Sequence, residues 1–332
     1  MKKFLVIQTA SIGDVVLATS LLEELKYNYP NEKIDILIKK GNESLFLDHP
    51  YIGRVYVWDK KKRKYYNLIK LIREIRKTDY EFVININRFF SSGLITALSY
   101  SYQKIGFKKN PFSAFFDKKF DHIIDKDNFK HEIDRNYSLI EDICEDDESE
   151  VSPPRLYPRK IDFENTSKYK GQPYYTVSPS SVWPTKEFHK EGWIEFLKHL
   201  PSETWLYFLG ASSDKVLCHE IRIGVNHEKS HNLAGKLSFL ESCSLMKNAK
   251  MNFTNDSAPL HFCSSVNAPV TAIFCSTVPQ FGFTPLSENS SVVQTKENLS
   301  CRPCGLHGYR ECPKKHFNCS YSIDIKDLVA RL

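Results

Sequence analysis

The chain has 332 residues, 41% hydrophobic and 26% charged, with a formal net charge of +6. That length predicts two domains, and that balance predicts a soluble globular protein rather than a disordered or fibrous one. No run approaches the roughly 20 apolar residues needed to span a bilayer, and no nucleic-acid-binding motif accompanies the charge, so no nucleic-acid partner is expected.

The start, MKKFLVIQTA, has only Phe4–Ile7 as an apolar core before Gln8, too short for the centre of a secretory signal. It reads as a first strand, and the protein is expected to be cytoplasmic. A small-residue loop, Thr9-Ala10-Ser11-Ile12-Gly13, follows. Asp14 then opens a helix with Val15, Val16, Ala18, Leu21, Leu22 and Leu25 at helical spacing. Strand, tight loop and helix in that order build the mouth of an α/β nucleotide-type fold. The loop is not GxGxxG, so a dinucleotide fingerprint is absent. Asp14 is either a helix cap or a carboxylate at a crevice, and this stretch alone favours the cap.

Strands are expected over Lys33–Ile38 and Arg54–Trp58, a helix over Tyr66–Arg76 and a strand over Glu81–Ile86. The loop from Asn87 to Gly93 and an apolar helix come next. This βαβ series implies a mostly parallel sheet. Basic residues crowd this half: the run Lys60-Lys61-Lys62-Arg63-Lys64, with Lys39-Lys40 and Lys108-Lys109. Such charge suits anionic lipid head groups or a phosphorylated glycan; a solvated lysine loop is the plainer reading of any single run. Residues 145–172 turn acidic and proline-rich, which places a linker over 151–172 between domains at 1–150 and 173–332.

The second half restarts the pattern. Tyr174–Val177 is a strand, 178–186 a loop, Gly192–Leu200 a helix and Trp205–Leu209 a strand; Ala249–Phe253, a helix from Ser257 and the strand Val270–Phe274 follow. Ser180, Ser181, Thr185 and Lys186 put three hydroxyls and an ammonium on one loop, groups that phosphate oxygens accept from. In Thr254-Asn255-Asp256-Ser257-Ala258-Pro259-Leu260-His261, Asp256 is the expected N-cap and Pro259 sits in the first turn. The amides around Ser257, Ala258 and Leu260 offer an anion site. His261 is equally readable as a buried core histidine.

Together, residues 4–22 (FLVIQTASIGDVVLATSLL), 183–189 (WPTKEFH) and 254–261 (TNDSAPLH), with 232–241 (NLAGKLSFLE) and 131–139 (HEIDRNYSL), resemble glycosyltransferase family 9, the ADP-heptose:lipopolysaccharide heptosyltransferase family. The resemblance implies a GT-B fold: two Rossmann-like domains with a cleft between them, the first binding acceptor and the second the nucleotide-sugar. It implies inverting transfer that requires no metal, with ADP-heptose as donor and an anionic glycolipid acceptor at the inner face of the inner membrane.

Residue by residue, the resemblance makes Asp14 the general base and Lys186 the lysine on the donor diphosphate. Ser180, Ser181 and Thr185 stand beside the phosphates. Asp256 and His261 match the ends of the family's Asp-x-Gly-x-x-His signature, with Ser257 beside them. Asp214 falls near the ribose contact and Leu237 near the adenine contact. Where the family carries glycine this chain has Ala258, and the added methyl group narrows the approach to phosphate. Acceptor contacts are expected from Ser11, Gly13, Arg63 and Arg88. Acceptor specificity is expected in the loops Arg54–Lys64, Arg88–Ser92 and Gly106–Phe116, where Phe89, Phe90, Phe112, Phe115 and Phe116 touch sugar or lipid, or form core.

Nine cysteines split into scattered thiols (Cys144, Cys218, Cys243, Cys263, Cys275) and a cluster, Cys301-x2-Cys304-x7-Cys312-x6-Cys319, in the segment 301–319. Four thiols with a leading CxxC suit a structural zinc or iron; reduced thiols are the plainer alternative. Two other functions compete with heptosyl transfer: a family 9 transferase with another nucleotide-sugar or a protein acceptor, and a GT-B nucleotide-binding module without turnover.

Overall fold

The computed structural model describes residues 3–125, 127, 129–144 and 150–332. The chain divides into two compact units, with a boundary between Tyr157 and Pro158. Each is a Rossmann-like α/β unit around one six-stranded parallel sheet, the two-unit plan of the GT-B fold.

In the first unit the strands are β1 (Phe4–Gln8), β2 (Ile34–Lys39), β3 (Ile52–Trp58), β4 (Tyr80–Asn85), β5 (Ser101–Phe107) and β6 (Lys118–Phe120). They lie in the order β3-β2-β1-β4-β5-β6, with Phe4 beside both Ile34 and Phe82. Every residue of β1 is buried, which is why it reads as a continuous apolar run. The main helices are α1 (Ile12–Asn28), α2 (Lys64–Ile75), α3 (Phe90–Leu98) and α4 (Glu132–Tyr137). Leu68, Leu71, Ile72 and Ile75 of α2 pack with Leu5, Ile7, Leu37 and Trp58 into one core. Each such side chain contributes about 2 kcal/mol on burial.

The second unit repeats the topology. Its strands are β7 (Tyr174–Ser178), β8 (Trp205–Phe208), β9 (Ser230–Asn232), β10 (Met251–Asn255), β11 (Val270–Phe274) and β12 (Ser290–Gln294), in the order β12-β11-β10-β7-β8-β9. Counted from its own first strand, this is again 3-2-1-4-5-6. Its helices include α5 (Lys160–Thr166), α6 (Lys190–Leu197), α7 (Lys215–Val225), α8 (Phe239–Met246) and α9 (Ala258–Ser265). Trp193 and Phe196 of α6 pack against Phe253 and Phe208 in its core.

In each unit the strand order reverses beside the first strand, between β1 and β4 and between β7 and β10. Loops leaving the carboxyl ends of strands at such a switch point have no crossover covering them, and they form a ligand crevice. The segment 151–172 is not a plain linker. Its acidic approach, 145–149, lies outside the described residues. Ser152 and Arg155 donate backbone N–H groups to Glu24 and Thr19 of α1, at 2.6 and 2.8 Å. Residues 160–166 form α5, where Thr166 Oγ1 meets Ser244 Oγ of α8 at 3.0 Å.

Candidate active site

The first turn of α1, just after the β1–α1 loop, carries Asp14 in the first unit. Ser11, not Asp14, is the N-cap of α1, and Asp14 is the third helical residue. Its Oδ2 accepts from Ser11 N at 2.9 Å and Ser11 Oγ at 2.6 Å, so the carboxylate reaches back over the helix start as half of a capping box. Asp14 is partly exposed, Ser11 is exposed and Gly13 is buried.

Four polar side chains hold this loop from below. Thr9 N and Thr9 Oγ1 donate to Asn87 Oδ1 at 2.6 and 3.0 Å. Asn87 Nδ2 donates in turn to Gln8 Oε1, which also accepts Ala10 N at 3.2 Å. Lys60 Nζ donates to Thr9 O at 2.7 Å and lies 4.7 Å from the Trp58 ring centre. Burial, and then the charges of Lys39 and Lys64, pull the Lys60 ammonium down to about 8. Lys60 and Asn87 carry no signal that singles them out in sequence: one is lost in a lysine run, the other in a polar loop. Arg63, in left-handed backbone before α2, and Arg88 are both exposed.

In the second unit the loops after β7 and β10 meet. Lys186, ending a short 3-10 turn from Pro184, places Nζ 2.7 Å from Asp256 Oδ2. The side chains are 15% and 7% exposed, so the pair is largely shielded from water. Thr277 Oγ1, from the loop after β11, donates to the same carboxylate oxygen at 2.6 Å. Asn255 bridges the loops, donating to Pro179 O at 2.6 Å and accepting from Phe188 N at 2.9 Å. Ser257 Oγ donates to Ser180 O at 3.3 Å. Ser181 shapes its own loop: its Oγ accepts Trp183 N at 3.3 Å and its amide donates to Glu187 Oε1 at 2.8 Å.

Ser257, rather than Asp256, caps α9. Leu260 N is already taken by Ser257 O at 3.1 Å, which leaves the amides of Ser257 and Ala258 to face an anion. Ala258 has ordinary helical backbone and is not among the positive-φ residues, so glycine's freedom is not needed at this position. His261 is buried in α9.

Asp214 ends a 3-10 turn and reaches back to its start, its Oδ2 accepting Ala211 N at 2.7 Å. Gly235, at φ +73°, donates its N–H to Gly210 O at 2.9 Å and brings the backbone before Leu237 against the Asp214 turn. Burial and then the Asp214 charge push the Glu187 carboxyl up.

Thr185 is tied to the C-terminal segment. Its hydroxyl donates to Tyr309 O at 3.0 Å and accepts from Tyr309 N at 2.7 Å and Ser276 Oγ at 3.2 Å. A hydroxyl has one proton and two lone pairs, so this capacity is filled. Thr185 therefore braces the loop from behind. The brace is the cysteine-rich segment: at Gly308, φ +76°, an added Cβ would lie 2.8 Å from Thr185 Oγ1 and 3.1 Å from Lys186 Cγ. Ser320 Oγ accepts His189 N at 2.9 Å nearby. Sequence reading weighed this segment only as a set of possible metal ligands.

The thiols do gather. The charges of Cys301 and Cys312 act on Cys304, and those of all three act on Cys319. Cys301 Sγ lies 3.7 Å from His316 Nε2. Against burial, which raises it, the backbone amides of Phe317, Lys314, His316 and Lys315 hold the Cys312 thiol below its usual value. Among the described residues, no three or more His, Cys, Asp or Glu side chains stand in metal-holding arrangement, so the cluster as placed is a neighbourhood of thiols rather than a closed ligand set.

Residues 68–312 match the family model described as glycosyltransferase family 9 (heptosyltransferase). A lipopolysaccharide heptosyltransferase 3 of Escherichia coli is 26% identical over 279 residues, covering 80% of this chain and 81% of that protein. Among solved structures, a family 9 glycosyl transferase from Veillonella parvula superposes with TM-score 0.83 at 19% identity, covering 99% and 96% of the two chains. The E. coli ADP-heptose lipopolysaccharide heptosyltransferase II does so with TM-score 0.77 at 20% identity, covering 100% and 99%.

Proposed function

The chain belongs to glycosyltransferase family 9 and is a glycosyltransferase, and from that premise we propose that it moves a heptose from ADP-heptose to a hydroxyl of a lipopolysaccharide core or related lipid-linked glycan, with inversion and without a catalytic metal. The observation that carries this reading is the Lys186–Asp256 pair at the start of α9, beside the amides of Ser257 and Ala258. An ammonium and helix-start amides are what a departing diphosphate needs. The similar E. coli heptosyltransferase II is described by its ADP-heptose donor.

In this mechanism the acceptor oxygen attacks the sugar's anomeric carbon as the bond from that carbon to the diphosphate oxygen breaks. The leaving electron pair stays on ADP, where Lys186 and the Ser257 and Ala258 amides stabilise it. The acceptor proton passes to the Asp14 carboxylate. Ser11 keeps that carboxylate aimed by two hydrogen bonds. Ser180 and Ser181 border the phosphates, Asp214 receives the ribose hydroxyls, Leu237 packs on adenine and His261 lines the donor side. Ser11, Gly13, Arg63 and Arg88 meet the acceptor, which holds the enzyme at the cytoplasmic membrane face. Cys301, Cys304, Cys312 and Cys319 are the thiols that would hold a structural zinc or iron, in the segment that braces the Lys186 loop. That assignment rests on their number, spacing and mutual nearness.

A thermal-shift panel of ADP, UDP, GDP and CMP tests the donor. A ligand that binds only the folded state raises apparent stability. ADP is expected to stabilise the protein most; stabilisation by UDP or GDP with none by ADP would assign a different nucleotide-sugar.

A further inference from the structure

Lys215, His219 and Arg222 recur at the spacing that puts residues on one face of a helix, here α7. They flank the buried stripe of Cys218, Ile221 and Val225. With His231 of the edge strand β9 and Lys236 just beyond it, they line a pocket of about 320 Å³ in the second unit. Five basic residues line this pocket and, among the described residues, no carboxylate does. Glu220, the acid of α7, pairs instead with Lys190 of α6 at 3.1 Å. Lys160 and Lys296 of the same unit also reach carboxylates. Among the described residues Lys215, Arg222 and Lys236 appear in no ion pair.

Hydrogen bonds frame the pocket. Asn232 Nδ2 donates to Lys215 O at 2.9 Å and Asn232 Oδ1 accepts Ala234 N at 3.0 Å, which ties the start of α7 to β9 and to the turn before Lys236. The His231 ring stacks on that of Trp205, with centres 5.1 Å apart. Burial, and then the charges of Lys236 and Arg222, hold the His231 imidazole below its usual value, so cations from two separate elements act at one place. Like charges gathered on one helix face repel, and a concavity lined by one sign of charge concentrates counter-ions.

We propose that this pocket is a second anion site, which takes a phosphate group of a small soluble molecule on Lys215, Arg222 and Lys236 with His219 as a further donor. Arginine forks onto two phosphate oxygens and lysine acts as a point charge. The volume suits a phosphate ester or a diphosphate rather than a macromolecule. The site is distinct from the Lys186–Asp256 pair: β9 lies two strands from β7, about 10 Å across the sheet, and Lys186 does not line the pocket. Two sources share this chemistry. One is a free phosphate compound. The other is a phosphate carried on the nucleoside, since Lys215 follows Asp214 and Lys236 precedes Leu237. The second source rests on the ADP-type donor reading; the first does not.

Isothermal titration of the full chain with inorganic pyrophosphate, in saturating ADP, tests the free source. Wild type is expected to take up pyrophosphate, with affinity falling as salt rises. Lys215→Gln/Lys236→Gln is expected to bind it at least about tenfold more weakly, at unchanged melting temperature because both side chains are exposed, while Lys186→Met binds it like wild type. Titration with AMP, and with AMP carrying an added ribose phosphate, tests the nucleoside-borne source. A gain of at least about tenfold from the added phosphate, lost in Lys215→Gln/Lys236→Gln, assigns it. Either result supports the site, and wild type showing neither overturns it. An equal loss of pyrophosphate binding in Lys61→Gln/Lys62→Gln overturns it as non-specific charge attraction. A loss in Lys186→Met with none in the pocket variant also overturns it, because the anion then belongs to the α9 start. Pocket-dependent pyrophosphate binding in a protein that ADP does not stabilise supports the site and defeats the ADP-heptose reading.

Discussion

Lys186 Nζ sits 2.7 Å from Asp256 Oδ2 and joins loops from the two strands that flank the second sheet's switch point. Before donor arrives, the carboxylate holds the lysine extended in a largely buried position. Removing one partner leaves the other's charge stranded, at a cost of about 3 kcal/mol. Asp256→Asn is therefore expected to lower unfolding free energy by that order in urea titration. Lys186→Met is expected to raise donor KM about a hundredfold, as loss of a charge-assisted bond to phosphate does. Unchanged donor affinity in Lys186→Met would remove the lysine from the diphosphate site.

The second prediction concerns the brace behind that lysine. Gly308 has φ +76° and no room for a Cβ beside Thr185 Oγ1. Gly308→Ala imposes left-handed strain of about 1–2 kcal/mol and pushes on the Thr185–Lys186 loop. We expect donor KM to rise about tenfold while affinity for acceptor is unchanged. Equal effects on both substrates would indicate general loosening instead.

Lys60 supplies a pH signature. Its pKa falls from 10.5 unfolded to about 8 folded, chiefly by burial. Between those values the unfolded chain binds more protons than the folded one, so this group makes stability rise with pH from about 8 upward. Below pH 8 both states are protonated and the contribution is flat. Relative to Lys60→Met, wild type should gain stability between pH 8 and 10 in urea unfolding; parallel curves would show that Lys60 titrates normally.

The cysteine cluster makes a compositional prediction. Protein purified without added metal is expected to carry about one equivalent of zinc or iron by elemental analysis, and Cys304→Ser to lose it. Less than about a tenth of an equivalent in wild type would leave the segment as reduced thiols.

Strands were legible because parallel strands buried on both faces read as apolar runs, and β1 and β11 stand out as such. The repeat of strand order between the units was not legible, since topology leaves no local pattern. Cap positions shifted by a residue or more: Ser11 and Ser257 take the ends expected of Asp14 and Asp256, because a hydroxyl and a reaching carboxylate share the work of a helix start. Lys186 and Asp256 were each singled out, but their direct pairing spans 70 residues of sequence and is a fact of sheet order. The tie between Thr185 and Tyr309 was not legible because the two lie 124 residues apart. Phe90 and Phe115 have the composition of core and the exposure of a surface, a distinction only packing makes.

Asp14 is where capping and catalysis separate. Asp14→Asn keeps a side-chain acceptor for Ser11 and should cost no more than about 1 kcal/mol of stability. The measurement that tests the whole reading is the mass of a truncated core acceptor after incubation with ADP-heptose, for wild type and Asp14→Asn side by side. We expect wild type to add one heptose, and Asp14→Asn to be slower by at least about a hundredfold while ADP still raises its melting temperature. Unchanged turnover in Asp14→Asn, or no heptose added by wild type to any core acceptor, would contradict it.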